Sequence, residues 1–416
     1  MKKINLNYTF IVLSIISMIF TTSCSSNDDV KDDENNNEDK TTLIGTQSES
    51  IRILTAGNTY TLSGEYKVPA GKTLKIEAGV TIIAQVDENT DYILIEKYGK
   101  IDARGTASNP IVMTSNQRKA GDWAGLHICG DAKINLEGGS GLSEVGDSPY
   151  GGNNDRDNSG VISYVRVEYA GQKLNEAGTK EGNGISFYGV GDGTTVDHCQ
   201  AYKGTDDGFE FFGGCVNIKY MISTNNSDDA FDWTQGWRGK AQFLVAYQES
   251  KTTLGYDCDA LMECDNLENN NSNEPISHPT IANVTLIGNN SSDEKRGIRL
   301  RAGTQISLYN TLVMNKVKCL TTQTAETETA ASNGTTILSS VYLQNTVTSE
   351  DEGYSETKFL ANGTNKINYS MTLTNKYVGA VEGGSSLSSL GSFFTNVNYV
   401  GAVKAGDDWT EGWSIR

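Results

Sequence analysis

The sequence predicts an all-β solenoid, a parallel β-helix, from a repeat in its central part. Three apolar-rich segments recur with spacings of 24 (209 − 185) and 22 (231 − 209) residues, from Ile185 to Phe209 to Phe231. Apolar and polar residues alternate inside each segment, as in a strand with one buried side. A period in the low twenties with Gly, Asn and Asp turns is typical of a solenoid. We find no run with the 3.6-residue spacing of a helical repeat after the signal segment.

The alternation predicts which side chains fill the core. Equivalent residues of neighbouring coils should lie about 4.8 Å apart in a parallel ladder. One parity should form buried columns, made of Ile185, Phe187, Phe209, Phe211, Phe231 and Trp233. The other parity, which contains Ser186, Glu210 and Asp232, should point to solvent.

Composition divides the chain into four parts. We predict a signal segment at 1–24, a flexible acidic tether at 25–45, the β-helix at 46–320 and a C-terminal capping region at 321–416, where the period is lost. The formal net charge of −18 argues against nucleic acid as a partner, because no basic stripe exists to neutralise phosphates. We expect a monomer.

The N-terminus reads as an export signal. Lys2 and Lys3 precede an apolar run that is short for a membrane span, and Cys24 follows small residues. This pattern resembles the lipobox of bacterial lipoproteins, and the acidic residues behind Cys24 resemble the surface-export signal of Bacteroides-type lipoproteins. The resemblance implies lipidation at Cys24 and an outer-membrane protein that faces the cell exterior. The alternative is an ordinary cleaved signal with an incidental cysteine.

The body of the chain resembles right-handed parallel β-helix proteins exported by the same bacterial group, which have a pectin-lyase-like fold. The resemblance covers most of residues 57–320 and implies a fold but no established activity. It rests on a Val-x-x-Gly-x-Thr-Leu-x-Ile-x-x-Gly-Val coil at 68–80, a Trp-x-Gly-Leu strand at 123–126, and the segments Asp-Asp-Gly-Phe-Glu-Phe-Phe-Gly-Gly at 206–214 and Phe-Asp-Trp-Thr-Gln-Gly-Trp-Arg-Gly-Lys at 231–240.

An acidic column is the sharpest candidate for chemistry. Stacking of the coils should bring Asp206 near Asp228 and Asp207 near Asp229, and the later Asp259 is a further addition. Two unit charges about 5 Å apart repel by roughly 3 kcal/mol at an effective dielectric of 20. Three interpretations remain open: solvated turn residues, a weak Ca²⁺ site, or a catalytic carboxylate pair.

The catalytic interpretation centres on Glu210 and Asp232, which adjacent coils should hold at the spacing of a retaining glycosidase. The Asp206-Asp207 doublet also resembles polygalacturonase-type β-helix hydrolases, but their Gly-His-Gly segment is absent. Lyase chemistry would need Ca²⁺ and a base, for which Arg299 and Arg301 are candidates. We therefore predict non-catalytic binding of glycans or surface partners first, and a polysaccharide hydrolase or lyase as the alternative.

Aromatic side chains are candidates for glycan contacts. Tyr188 and Phe212 share the outward parity beside the acidic column, and Trp237 belongs to a group of tryptophans. Sugar rings stack on flat aromatic surfaces, so these residues would form a platform. The alternative is that they cover the ends of ladders.

Histidine and cysteine usage excludes some chemistry. The sequence has three His, of which His198 should be a stacked core residue, and no pair has the spacing of metal ligands. Seven Cys include Cys24, and the other six permit disulfides, Cys258–Cys264 being the most local, or are isolated core residues.

Overall fold

The protein is described from a computed structural model that covers residues 41–176, 180–292 and 294–416. The signal segment, Cys24 and nearly all of the predicted tether lie outside these residues. The described part contains the strands β1 Thr42–Thr46, β2 Ile51–Leu54, β3 Thr59–Val68, β4 Thr73–Ile76, β5 Thr81–Ala84, β6 Tyr92–Ile95, β7 Lys100–Arg104, β8 Ile111–Ser115, β9 Leu126–Cys129, β10 Gly141–Leu142, β11 Pro149–Tyr150, β12 Gly160–Glu168, β13 Ile185–Tyr188 and β14 Thr195–Tyr202. It continues with β15 Phe209–Phe212, β16 Asn217–Thr224, β17 Phe231–Thr234, β18 Lys240–Tyr247, β19 Met262–Cys264, β20 Thr280–Ile287, β21 Arg296–Leu300, β22 Ser307–Met314, β23 Lys318–Thr322, β24 Ile337–Leu343, β25 Thr346–Ser349, β26 Gly379–Glu382 and β27 Tyr399–Val403.

Helices are few and short in this part of the chain. They are α1 Lys251–Leu254, α2 Ala325–Asn333 and α3 Glu356–Leu360, with 3-10 turns at Glu137–Gly139 and Ser388–Leu390. No helix among the described residues has both the length and the apolar character that a membrane crossing requires.

The strands form one large parallel sheet that closes almost completely around an axis, so the chain is a right-handed parallel β-helix as predicted. Face A is the ladder from β3 through β6, β9, β13, β15, β17, β19, β21 and β23 to β25. Face B starts with β2, β4 and β7, and face C with β3, β5 and β8. From β12 onward each long strand supplies faces B and C in turn.

The predicted core and the predicted register are confirmed. Phe209 lies opposite Ile185 and Phe231 lies opposite Phe209, at the offsets of 24 and 22 residues read from the sequence. All six side chains of the predicted buried parity are at most 1% exposed. Rings of successive coils stack, with centroids 5.2 Å apart for Phe187 and Phe211.

Each long strand bends between faces B and C at a residue in the left-handed region. The stack His198–Tyr220–Phe243 forms at these bends, with ring centroids 4.4 and 4.9 Å apart and φ values of 50°, 61° and 62°. The alignment of His198 with Tyr220 is therefore confirmed. The stack packs against Trp409 and not among the main core residues, so the predicted core position of His198 is wrong.

The parallel ladder extends beyond both predicted boundaries. It begins with β1, before residue 46, and β23, β24 and β25 continue it beyond residue 320 in register with the preceding coils. The sequence hides these last coils because Thr and Ser replace the large apolar residues there. A C-terminal segment, residues 369–416, runs back along the solenoid: Asn283 donates to Tyr399 O, and Arg166 donates to Trp413 O at 2.7 Å. It covers a long side of the coil and is not only an end cap.

The cysteines of the described chain are free thiols. Cys129, Cys199, Cys215, Cys258, Cys264 and Cys319 are all buried and unpaired. The disulfide between Cys258 and Cys264 is therefore not formed, and the alternative of isolated core residues is confirmed.

Candidate functional site on face A

A column of mostly polar residues runs along the outer side of face A, because every strand of this face contributes its second residue to the same row. The register of the parallel pairs sets the order His127, Ser186, Glu210, Asp232, Glu263, Arg299 and Thr321. The predicted juxtaposition of Glu210 with Asp232 is confirmed. Their exposure is lower than predicted, since Ser186 is 0% exposed and the two acids are half-buried.

Seven carboxylates at the start of the face A strands form one acidic cluster. Within each of three overlapping triads, one carboxylate oxygen per residue lies within 4.8 Å of the others. The triads are Glu181–Asp206–Asp228, Asp207–Asp228–Asp229 and Asp207–Glu210–Asp232. The structure thus brings all four predicted metal-site aspartates together with both predicted catalytic acids.

Two of the aspartates also have a structural role. Asp207 Oδ1 accepts the backbone N–H of Asp229 at 2.8 Å, and Asp229 Oδ1 accepts the backbone N–H of Ala260 at 2.6 Å. Each therefore ties its own turn to the next coil, as the turn interpretation expects. Asp206 is 6% exposed and receives no hydrogen bond from another side chain of the described residues. The buried Oδ1 of Asp232 has no hydrogen-bond partner among them.

The third coil is offset by one residue from the predicted alignment. Asp232 lies opposite Glu263, which is 31 residues later, whereas the sequence comparison used an offset of 30. Asp259 therefore neighbours Asp228 rather than Asp229, and Lys295 Nζ binds it at 2.7 Å. The insertion that contains α1 lengthens this coil and obscures the repeat.

Sequence reasoning missed Asn183 and Glu144. The Asn183 amide donates to Glu210 Oε2 at 2.5 Å, and the Tyr188 hydroxyl lies 3.2 Å from Glu144 Oε2. Asn183 precedes Asp207 by 24 residues (207 − 183), so the repeat itself marks its place in the column of turn residues. Glu144 comes from the long loop between β9 and β12, and no repeat could place it.

The predicted aromatic platform is not exposed. Tyr188 and Phe212 stack with centroids 4.5 Å apart on the outer side of face A, but they are only 0% and 8% exposed. The long loop after β9 folds over them, and its residues Ile134 and Tyr150 complete a separate hydrophobic cluster with the pair. The prediction of their exposure was wrong because a sequence pattern does not show where a loop folds back.

Trp237 is also removed from the surface. It is 1% exposed and stacks on Phe211 at 4.2 Å inside the main core. Trp409 and Trp413 belong to a different cluster, beneath the C-terminal segment. The exposed tryptophan surface that the sequence suggested is therefore absent from the described residues.

The two candidate arginines lie on face A, two coils from Asp232 as predicted, and both are engaged. Arg299 binds Glu263 at 2.6 Å, and Arg301 binds Glu263 at 2.6 Å and Asp265 at 2.8 Å. Their side chains keep 30% and 24% exposure. These ion pairs satisfy most of the donors that a free base or a ligand contact would use.

The sequence matches the family described as "Pectate-lyase like beta helix domain" over residues 45–414. The chain belongs to this family. Searches of curated proteins and of solved structures found no match. For this pectate-lyase-like β-helix, the family relation supports the fold and a carbohydrate-related role.

Electrostatics in the acidic cluster of this pectate-lyase-like β-helix favour protonation. Burial, followed by the charges of Glu181 and Asp228, raises the pKa of Asp206 to about 8. Burial, followed by the charge of Asp259, raises the pKa of Asp228 to about 6. The pKa values of Glu210 and Asp232 are also raised well above their usual range, by burial first and by neighbouring carboxylates second.

These shifts predict a stability that decreases as pH rises in a metal-free buffer. An unfolded Asp has a pKa of about 3.9, so between this value and the folded values of Asp206 and Asp228 the native state holds more protons than the unfolded state. The free energy of unfolding should therefore fall from about pH 4 to about pH 8. Thermal unfolding with a chelator present, measured at half-unit steps of pH, should show this decline.

A double variant isolates the contribution of the cluster. Asp206→Asn/Asp228→Asn should flatten the decline. The control Glu88→Gln/Glu137→Gln removes two carboxylates that are exposed elsewhere and should keep the wild-type slope. Equal slopes in all three proteins would show that the cluster does not titrate with folding.

Proposed function

We propose that this protein binds a glycan on face A with the help of Ca²⁺ held in the acidic cluster. The observation that carries the proposal is the set of three overlapping carboxylate triads, in which Asp206 and the Asp232 Oδ1 atom lack side-chain donors. The family relation, which fits a carbohydrate-related role, supports the choice of ligand class.

The residues fit a hard cation. The cluster offers oxygen ligands alone, and Ca²⁺ accepts six to eight oxygens in flexible geometry. Asp206, Asp207, Asp228 and Asp229 would hold the ion, with oxygens that are not committed to the backbone. A bound Ca²⁺ would neutralise part of the negative charge and offer coordination positions to sugar hydroxyl or carboxylate oxygens.

Binding is favoured over catalysis by the partners of the surrounding groups. Arg299 and Arg301 are paired with acids, which leaves neither guanidinium as a free base. His127 stands in the same column but is 0% exposed, and its Nε2 lies 2.6 Å from Ala124 O. Among the described residues, the acids of face A therefore lack the basic partners that polysaccharide lyases need.

Ca²⁺ should stabilise the wild-type protein. At 5 mM and a dissociation constant of about 10⁻⁴–10⁻³ M, typical of extracellular modules, linkage predicts about 1–2 kcal/mol. The rise in melting temperature should be largest above pH 7, where the cluster is ionised. Asp206→Asn/Asp228→Asn should lose this response at constant ionic strength, whereas Glu88→Gln/Glu137→Gln should keep it. An equal shift in the two variants would contradict the site. A glycan array with and without Ca²⁺ then tests the ligand.

A second candidate function is glycoside hydrolysis, which the direct opposition of Glu210 and Asp232 favours. Carboxylate oxygens of the two lie within 4.8 Å of each other, and retaining glycosidases place their carboxyl groups about 5–5.5 Å apart. The charge of Arg301 favours the ionised form of Asp232, which would make Asp232 the nucleophile and Glu210 the acid.

Turnover decides between the two functions. If the protein hydrolyses a member of a polysaccharide panel, Glu210→Gln and Asp232→Asn should each lower the rate by about 10²–10⁴-fold, the usual contribution of a positioned acid or base. Glu137→Gln should retain full activity. Release of reducing ends is the measurement. Absence of turnover, or full activity in both variants, would leave glycan binding as the function.

For localisation we propose a Bacteroides-type lipoprotein, anchored in the outer membrane by a lipid on Cys24 and facing the cell exterior. The lipobox-like segment and the acidic stretch behind it support this proposal. Globomycin should cause the unprocessed precursor to accumulate, and Cys24→Ala should release the protein from the membrane fraction. If Cys24→Ala remains with the membrane, the anchor is elsewhere.

A further inference from the structure

A second surface, on face C, differs from face A in charge and construction. It is a cleft of about 460 Å³ whose floor includes Thr81, Ile83 and Thr114 and whose wall includes Arg118 and Tyr169. Ile415 of the C-terminal segment also lines it. We call it the Arg118 cleft. Its volume falls in the range of small-molecule sites, roughly 300–1,000 Å³.

The turn that presents Arg118 is held by a buried carboxylate. Asp122, which is 8% exposed, accepts hydrogen bonds from the Ser115 hydroxyl at 2.5 Å and from the Lys119 N–H at 2.8 Å. The Arg118 N–H in turn donates to Ser115 Oγ at 2.9 Å. This network fixes Arg118 at φ 54°, and Tyr169 across the cleft has φ 63°. Such conformations are uncommon for residues other than Gly and cluster at functional sites.

Arg118 has donors to spare, whereas the other charged groups of the cleft are paired. Arg166 binds Glu168 at 2.5 Å and Trp413 O at 2.7 Å, and Glu168 also accepts from Thr114. Among the described residues, no carboxylate lies within the 4.0 Å ion-pair distance of the exposed Arg118 guanidinium. The cleft therefore presents an uncompensated positive charge on a chain with a net charge of −18.

We propose that the Arg118 cleft binds a saccharide that carries a carboxylate. The planar guanidinium of Arg118 matches a carboxylate with two parallel hydrogen bonds. The ring of Tyr169 offers an apolar face to the sugar, and the Thr and Asn side chains around the floor offer partners to its hydroxyl groups. This site is independent of the acidic cluster, lies on a different face and goes beyond the function proposed above.

Two matched disaccharides test the proposal on the full-length protein. Cellobiouronic acid and cellobiose differ in one carboxylate, and titration calorimetry in a chelator-containing buffer keeps Ca²⁺ out of the measurement. We expect the acid to bind at least tenfold more tightly than cellobiose. Arg118→Ala should weaken binding of the acid at least tenfold, and Arg118→Lys should recover only part of it, because Lys is a point charge.

Control variants separate this site from general charge effects and from face A. Arg156→Ala removes an arginine whose side chain is 85% exposed and should bind as the wild type does. Asp206→Asn/Asp228→Asn should also bind normally, whatever the outcome for Ca²⁺. The proposal is overturned if cellobiose binds equally well, if the acid does not bind, or if Arg118→Ala has no effect at an unchanged melting temperature. Equal affinity for acetate would overturn the saccharide part.

Discussion

The register of the parallel ladder is the constraint on which the rest of this structure depends. Each residue of a coil meets its equivalent in the next coil at about 4.8 Å, on the same side of the sheet. For apolar residues this repetition is favourable, and it produces the ring stack of Phe187, Phe211 and Trp237. For acids the same register is unfavourable, because it places Glu210 opposite Asp232 and Asp232 opposite Glu263. A β-helix that repeats an acidic turn thus accumulates charge along its axis.

The chain compensates part of this charge and leaves the rest. Backbone N–H groups of the following coil satisfy one oxygen each of Asp207 and Asp229. Lys295 pairs with Asp259, and Arg301 pairs with Glu263 and Asp265 at the far end of the row. Between these ends the acids have mainly each other as neighbours, so their charged forms need protons or a cation. A fold that needed only turn residues there would have no reason to bury them.

How much of this was predictable from the sequence depended on whether a residue lies inside the repeat. The core parity, the order of the strands and the opposition of Glu210 with Asp232 follow from periods of 22 and 24 residues, and the structure confirms all three. The coil with α1 is longer, and a single residue of uncertainty moved Asp259 from one neighbour to another. In a β-ladder one residue is also the difference between the two faces of the strand.

Loops that leave the coil could not be placed by periodicity. The long loop between β9 and β12 buries Tyr188 and Phe212 and brings Glu144 to within 3.2 Å of the Tyr188 hydroxyl, and neither effect has a signal in the repeat. The C-terminal segment similarly covers the bends at His198 and Tyr220, which the alternation alone suggested were core positions. Outer faces of a solenoid are therefore decided by non-repetitive sequence, although that sequence carries the weakest pattern.

The same division explains how one acidic chain has surfaces of opposite charge. The acidic cluster arises from the repeat itself, because similar turns stack and their charges add. The Arg118 cleft arises from departures from the repeat: a turn closed by Asp122, and a C-terminal segment that reaches the cleft at Ile415. A charge placed by a single turn has no equivalent in the next coil, so it is neither repeated nor cancelled along the axis. In a β-helix, single insertions can therefore create local sites whose chemistry is opposite to that of the repeat.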